Sequence, residues 1–358
     1  MSQPEPPAPT DRRRLLRGLA SLPLAAKAAP ATAAGPERPW HHLADGTFRN
    51  PPGSPVRGGD GAAWRAFLYR RLVAPPAPPP LPEGHVLPAA AMAAGLASAA
   101  PDSVTWLGHA AFLVRIGGRG ILIDPYLSER ASPFGFFGPR RFAGPALPPE
   151  RLPRVDILLL SHNHYDHLDL PSLARLPGLE QAQVVVPLGV GRYLRELRLG
   201  ALLEVDWRQR VEPAGVAVTA VPAIHFSKRG LFDRNATLWA GYLIEAGGRR
   251  LLFSGDTAYG PVFRETAAGL PAPELALVPI GAYAPRALMQ ASHCTPEEGV
   301  QIGRDWGARR LCAMHWGAIQ LTDEDPFEPP GRFRAAARAA GYADEDAWVM
   351  AIGETRPW

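Results

Sequence analysis

Cysteine is nearly absent from this chain. Two residues in 358, Cys294 and Cys312, cannot build a disulfide framework or a four-thiolate zinc ribbon, and they leave the redox compartment open. Beyond the N-terminal region there is no run of the ~18 consecutive apolar residues that a membrane span requires. Charge of one sign is scarce too. The formal net charge is only +4, and the arginines are scattered instead of forming a stripe interleaved with aromatics, so no nucleic-acid partner is expected. A small anion or a lipid headgroup is compatible with that balance. The absence of a Gly-x-Ser-x-Gly elbow excludes one common hydrolase arrangement, and no internal repeat is visible. What is present, 46% hydrophobic and 20% charged residues, suffices for one sizeable domain with an appendage.

Residues 1–35 form the first segment. Asp11-Arg12-Arg13-Arg14-Leu15-Leu16-Arg17, the apolar Gly18 to Ala26 and the small Ala31-Thr32-Ala33 follow the order basic, apolar, cleavable, and resemble a bacterial twin-arginine signal. Export to the periplasm is expected on that reading. Pro23 and Lys27 interrupt the apolar stretch, and the alternative is a disordered Arg/Ala/Pro-rich tail on a cytoplasmic protein. Residues 36–99 are a Pro/Ala-rich extension in which Ala74-Pro75-Pro76-Ala77-Pro78-Pro79-Pro80 favours extended, polyproline-like chain, so a compact core is not expected to begin there. Within it, Trp64, Phe67, Leu68 and Leu72 recur at near-helical spacing beside Arg65, Arg70 and Arg71, which predicts a short amphipathic helix over Ala62 to Val73. Its apolar face either docks on the body or touches a membrane surface.

Residues 100–358 carry short apolar runs separated by Gly, Pro and Asp. Val104 to Leu107, Phe112 to Ile116, Ile121 to Ile123, Val155 to Leu160, Val184 to Val186, Val216 to Val221, Leu238 to Ile244, Leu251 to Phe253, Leu275 to Ile280 and Leu311 to Met314 read as strands. Pro296 to Trp306, with Thr295 as its N-cap, and Arg332 to Ala340 read as helices. Strands first and helices interspersed later imply a layered α/β domain.

The segment that carries chemistry is Ser161-His162-Asn163-His164-Tyr165-Asp166-His167, directly after the apolar Ile157 to Leu160. Imidazole and carboxylate suit divalent cations, and a loop at a strand end can aim alternate residues into one cavity. With ten histidines in 358 residues, three within six positions beside an aspartate is a dense cluster. His225, Asp256 and His315 each follow a further apolar run, so ligand types recur at strand ends. A lone residue in such a place is more often a satisfied polar group, but the repetition favours one shared site.

These residues resemble the signature of the metallo-β-lactamase superfamily, H-x-H-x-D-H followed by a distant His, an Asp and a final His. The resemblance implies an αββα sandwich with an N-terminal extension. It implies two divalent ions, zinc first with manganese or iron as alternatives: His162, His164 and His225 would hold one, Asp166, His167 and His315 the other, and Asp256 would bridge them. Within that superfamily the chain is similar to the N-acyl-phosphatidylethanolamine-hydrolysing phospholipase D family over about residues 103–331. The likeness rests on Val104-Thr105-Trp106-Leu107-Gly108-His109-Ala110, Asp124-Pro125, Gly138-Pro139-Arg140-Arg141-Phe142, Pro279-Ile280-Gly281-Ala282-Tyr283 and His315-Trp316-Gly317. Asn50-Pro51-Pro52-Gly53 matches its pattern only loosely, and Ser292-His293-Cys294-Thr295-Pro296-Glu297-Glu298 departs from it after the histidine.

Two such ions about 3.5–4 Å apart can share a hydroxide and stabilise charge on a phosphoryl oxygen, with no Ser or Cys nucleophile required. Asp166 and Asp256 would keep the pair together, which gives Asp166 a catalytic place. His293 is expected to bind the phosphate or protonate the leaving group; the alternative is a residue that merely precedes a helix. His109 and Asp124 are expected to orient ligand imidazoles by hydrogen bonds, or else to make ordinary turn contacts. Tyr283 and Arg286 are expected to reach the substrate. The expected activity is phospholipase D-like hydrolysis of a phospholipid such as N-acyl-phosphatidylethanolamine, or of a related phosphodiester, with peripheral membrane contact. Lactone or carboxylic-ester hydrolysis is the alternative, and a metal-binding envelope protein without turnover is a third reading.

Overall fold

The computed structural model describes residues 39–358 apart from Pro75; the expected signal over residues 1–35 lies outside the described residues. Residues Trp40–Trp358 form one compact unit. Among the described residues fourteen strands run β1 (Ser103–Gly108), β2 (Ala111–Ile116), β3 (Arg119–Ile123), β4 (Ile157–Leu159), β5 (Gln183–Pro187), β6 (Ala201–Val205), β7 (Arg210–Val211), β8 (Ala217–Val221), β9 (Gly241–Ala246), β10 (Arg249–Phe253), β11 (Leu275–Pro279), β12 (Arg310–Met314), β13 (Ala347–Trp348) and β14 (Thr355–Pro357). The helices are α1 (Gly61–Leu72), α2 (Ala89–Ala97), α3 (Leu170–Leu173), α4 (Val262–Ala267), α5 (Arg286–Met289), α6 (Pro296–Asp305) and α7 (Pro329–Ala339).

Two seven-stranded sheets result, ordered β14-β1-β2-β3-β4-β5-β6 and β13-β12-β11-β10-β9-β8-β7. Period-two alternation decides how they stack. Phe112, Val114, Ile121, Ile123, Ile157, Leu159 and Val185 point into the core shared with the second sheet. Their neighbours Leu113, Leu122, Leu158, Val184 and Val186 point the other way, into a second cluster with Leu168, Leu173, Leu179 and Leu194. Sheets buried on both faces in this way read as continuous apolar runs. With helices outside both sheets, the architecture is an αββα sandwich.

Strand pairing is parallel from β3 through β6 and from β10 through β13. The carboxyl ends of β3, β4, β10, β11 and β12 therefore come together along one edge, the place where α/β sheets collect functional loops. Four of the non-glycine residues with left-handed backbone lie there: His109 (φ 56°), Asp124 (φ 41°), Ala282 (φ 65°) and His315 (φ 60°). Such conformations cost on the order of 1 kcal/mol each and persist where the surroundings dictate them.

The compact unit begins earlier than the Pro/Ala-rich composition suggests. His41 stacks on Trp207 with ring centroids 4.5 Å apart, and the two carboxylate oxygens of Asp206 pair with Nε2 of His41 and of His42, each at 2.7 Å. Phe48 joins the inter-sheet core, and Met92 and Leu96 of α2 enter the outer cluster. Residues 76–82 of this segment lack regular structure, while its helices α1 and α2 form on either side. Helix α1 docks through Phe67, which packs with Leu288, Met289 and Trp64, while Leu68 and Tyr69 stay exposed. No helix among the described residues is long and apolar enough to cross a membrane.

Candidate metal centre

The loop after β4 delivers His162, His164, Asp166 and His167 to the edge where β8 leads to His225, β10 to Asp256 and β12 to His315. Ligand atoms of His162, His164 and His225 lie within 4.8 Å of one another, as do those of His109, Asp166, His167 and His315, and those of His225, Asp256 and His293. Asp256 adjoins both sides: its Oδ2 is 2.9 Å from His315 Nε2, 3.2 Å from His167 Nε2 and 3.9 Å from His225 Nε2.

Donor and acceptor logic shows what these atoms need. Asp124 is fully buried and, ionised, can only accept. Ser161 N–H donates to its Oδ1 at 2.7 Å, while Ser161 Oγ and His167 Nδ1 (2.7 Å) converge on Oδ2. His167 therefore carries its proton on Nδ1 and turns Nε2 inward. Because the Ser161 hydroxyl gives its proton to Asp124, its oxygen accepts from His162 Nδ1 at 2.8 Å, which leaves a lone pair on His162 Nε2. His225 Nδ1 donates to the Ser292 carbonyl at 2.9 Å, so its Nε2 also faces inward. These two Nε2 atoms lie 2.8 and 3.2 Å from one atom, His164 Nδ1. That atom can donate to only one of them, so another lone-pair contact stays repulsive unless a cation sits among the nitrogens. On the other side, His167 Nε2, His315 Nε2 and Asp256 Oδ1 are buried without a hydrogen-bond partner. The residues present fit a pair of divalent ions.

Protonation in the metal-free cluster follows the same charges. Burial, and then the charge of His225, push His164 down to about 3; burial pushes His225 to about 4; and burial and His315 push His109 to about 3. His162 and His293 are held well below the usual imidazole range, mainly by burial. Burial also opposes charge on His315 and His167, but neighbouring carboxylates, Asp256 foremost, outweigh it, lifting His315 to about 9 and His167 well above its usual value. Asp166 and Asp256 stay far below the ordinary carboxylate range because nearby histidines, His167 first, overcome their burial. Carboxylates that retain protons on two imidazoles at neutral pH are asking for positive charge.

The remaining expected residues divide. His109 Nε2 pairs with Asp166 Oδ2 at 2.9 Å. His293, half-buried, lies 5.1 Å from the His225 ring and 5.3 Å from the His315 ring, with Nδ1 unpartnered. Tyr283 and Arg286 do not extend toward an open substrate position. The Tyr283 hydroxyl bonds Glu328. Arg286 forks onto both Glu298 oxygens at 2.6 and 2.7 Å and donates to the His293 carbonyl at 2.7 Å, so its charge is neutralised inside the protein. Glu298 also closes a capping box with Thr295 at the start of α6; the arginine thus fixes the stem that presents His293. Cys294 is buried, its thiol pushed well above the usual range by desolvation, so it supplies no thiolate nucleophile. Two contributors went unnoticed in the sequence. Asn50 donates to the His225 carbonyl at 2.8 Å and accepts its N–H at 2.9 Å, and Ser161 relays Asp124 to His162.

Adjoining His/Asp groups that meet at one aspartate form a candidate dinuclear metal-binding centre. The description "Beta-lactamase superfamily domain" matches residues 119–316, more than half of the chain, and the chain belongs to that superfamily. An uncharacterized protein of Mycobacterium tuberculosis is 39% identical over 240 residues, 66% of this chain and 64% of that protein; the chain spans less than two thirds of this relative's length. N-acyl-phosphatidylethanolamine-hydrolyzing phospholipase D 1 of Caenorhabditis elegans is 36% identical over 242 residues, 64% of this chain and 68% of its own length. Among solved structures, the isothiocyanate hydrolase from Delia radicum gut bacteria superposes with a TM-score of 0.57 at 18% identity, covering 72% of this chain and 99% of that one; at that identity it shows a common fold alone.

Proposed function

We propose that this protein is a phosphodiesterase of phospholipase D type, acting on a phospholipid such as N-acyl-phosphatidylethanolamine or on a related phosphodiester. The observation that carries the substrate class is the 36% identity with the Caenorhabditis elegans phospholipase, joined to a centre built of imidazoles and carboxylates alone. His162, His164 and His225 would hold one ion, Asp166, His167 and His315 the other, and Asp256 would contact both, with zinc favoured by the imidazole-rich donor set. Bound there, two divalent ions lower the pKa of water toward neutrality and offset charge on a phosphoryl oxygen. The protein's own residues do the rest. Asp124, Ser161 and Asn50 keep the imidazoles in the orientation and tautomer that expose their lone pairs, and His109 steadies Asp166. His293, at the opening and kept neutral by burial, would bind a phosphoryl oxygen through a ring N–H, the first of the two roles expected of it, and not serve as the acid for the departing alcohol.

The test is hydrolysis of bis(p-nitrophenyl) phosphate and N-acyl-phosphatidylethanolamine by metal-quantified protein, beside a lactone panel and Asp256→Asn. Diester cleavage that disappears with Asp256→Asn, together with a drop in bound metal, is the expected result. Cleavage confined to lactones would overturn the substrate class.

A further inference from the structure

A cavity of about 290 Å³ opens beside His225 and His293, and its lining includes Arg57, Trp64, Phe67, Phe226 and Arg234. The guanidinium of Arg57 lies over the Trp64 ring, 3.5 Å from its centroid, and that of Arg234 lies 4.5 Å from the centroid of Phe226. Aromatic faces steady both groups without neutralising them. No carboxylate of the described residues stands among the groups that act on the charge of either arginine, and the cavity lining holds no Asp or Glu. Three other arginines contrast with them: Arg286 pairs with Glu298, Arg332 with Glu297 and Arg250 with Glu274. Burial, and then the charge of Arg234, make the Arg57 cation less favourable than usual, as expected of two like charges facing one space. Trp64 adds an unsatisfied donor, since its Nε1–H is buried with no acceptor. Two guanidinium groups beside walls of Phe67, Phe226, Met289 and Leu321 suit an acceptor-rich anion with an apolar body.

We propose that Arg57 and Arg234 form an anion-binding subsite at the mouth of this cavity, taking a phosphate or phosphonate group carried on an apolar body. The inference rests on the hydrolase reading of the adjoining centre and gives that centre its preference for anionic amphiphiles over neutral esters. A guanidinium can bind phosphate oxygens in bidentate fashion.

The experiment titrates phenylphosphonate into metal-loaded protein by isothermal calorimetry. It compares wild type with Arg57→Gln, Arg234→Gln and, as a charge control, Arg195→Gln, an exposed residue outside the cavity. The dissociation constant should rise about tenfold in each of the first two variants and stay unchanged in the third, with metal content constant in all four. A second arm uses dihexanoylphosphatidic acid below its micellar concentration; the tighter of the two probes shows whether an aromatic or a diacylglycerol body fills the cavity. Dissociation constants within twofold of wild type in either arginine variant, or no binding by wild type in both arms, would overturn the subsite. Turnover of bis(p-nitrophenyl) phosphate is followed on the same samples. Arginine-dependent binding without turnover overturns the phosphodiesterase reading and leaves the subsite standing; turnover with arginine-independent binding does the reverse.

Discussion

Replacing Asp124 by asparagine tests how this centre is held in register, because a single carboxylate sets the tautomers of imidazoles in both ligand groups. Ser161 N–H is a fixed donor to Oδ1, so the amide oxygen of the substituted side chain takes that place and its NH2 faces His167 Nδ1 and Ser161 Oγ. Two donors then meet where one acceptor stood. His167 relieves the conflict by moving its proton to Nε2, which points it at Asp256 3.2 Å away. Ser161 now accepts from the amide and donates to His162 Nδ1, so His162 Nε2 is protonated as well. One substitution thereby removes a lone pair from each group. Loss of such an outer partner costs roughly 10–100-fold in metal affinity, about 1.4–2.7 kcal/mol per ion at 1.4 kcal/mol per decade. Competition titration with a chromophoric chelator should show both equivalents weakened together, whereas His225→Asn weakens only one strongly. Wild-type affinity for either equivalent in Asp124→Asn, with circular dichroism confirming the fold, would refute the relay.

Further outcomes follow from the same geometry. Metal-stripped protein should have a stability maximum near pH 6.5, roughly the ordinary imidazole value. Below that value the unfolded chain takes up protons on His109, His164 and His225, whose folded values lie at about 3, 3 and 4, and stability falls. Above it the stabilisation from His315, full below the ordinary imidazole value of about 6.5, is lost as pH rises through about 9; calorimetric Tm values flat from about pH 5 to 9 would contradict this. Gly281→Ala would place a Cβ 2.2 Å from the His315 carbonyl oxygen, so it should cost about 1–3 kcal/mol and displace His315, read as lowered Tm and loss of one metal equivalent. Asn50→Ala strips both backbone partners from His225 and should cost about 1–3 kcal/mol; chelator titration should find the ion held by His162, His164 and His225 weakened and the other spared.

Much of this molecule was legible along the chain because the physics there is local. Continuous apolar runs marked strands buried on both faces, and Thr295-Pro296 with Glu298 marked the start of α6. Ligand-type residues directly after β4 marked the chemistry, since a strand end and the loop beyond it are neighbours in sequence as well as in space. The missed strands carry weak local signals: β6 is largely exposed, and β7, β13 and β14 are two or three residues long. Proline-rich composition pointed to extended chain around Ala74 to Pro80, and residues 76–82 lack regular structure; it did not reveal the burial of residues 41–48, which depends on Trp207, Asp206 and the core beneath Phe48. Arg286 suited a phosphodiester by charge alone, until Glu298 and the His293 carbonyl took up its donors. Only the tertiary structure could show that Asp124 governs two imidazoles, that Asn50 clamps His225 across 175 positions, and that Arg57 and Arg234 face one cavity. Residue type states what a side chain can donate or accept; the fold decides which partners remain for it.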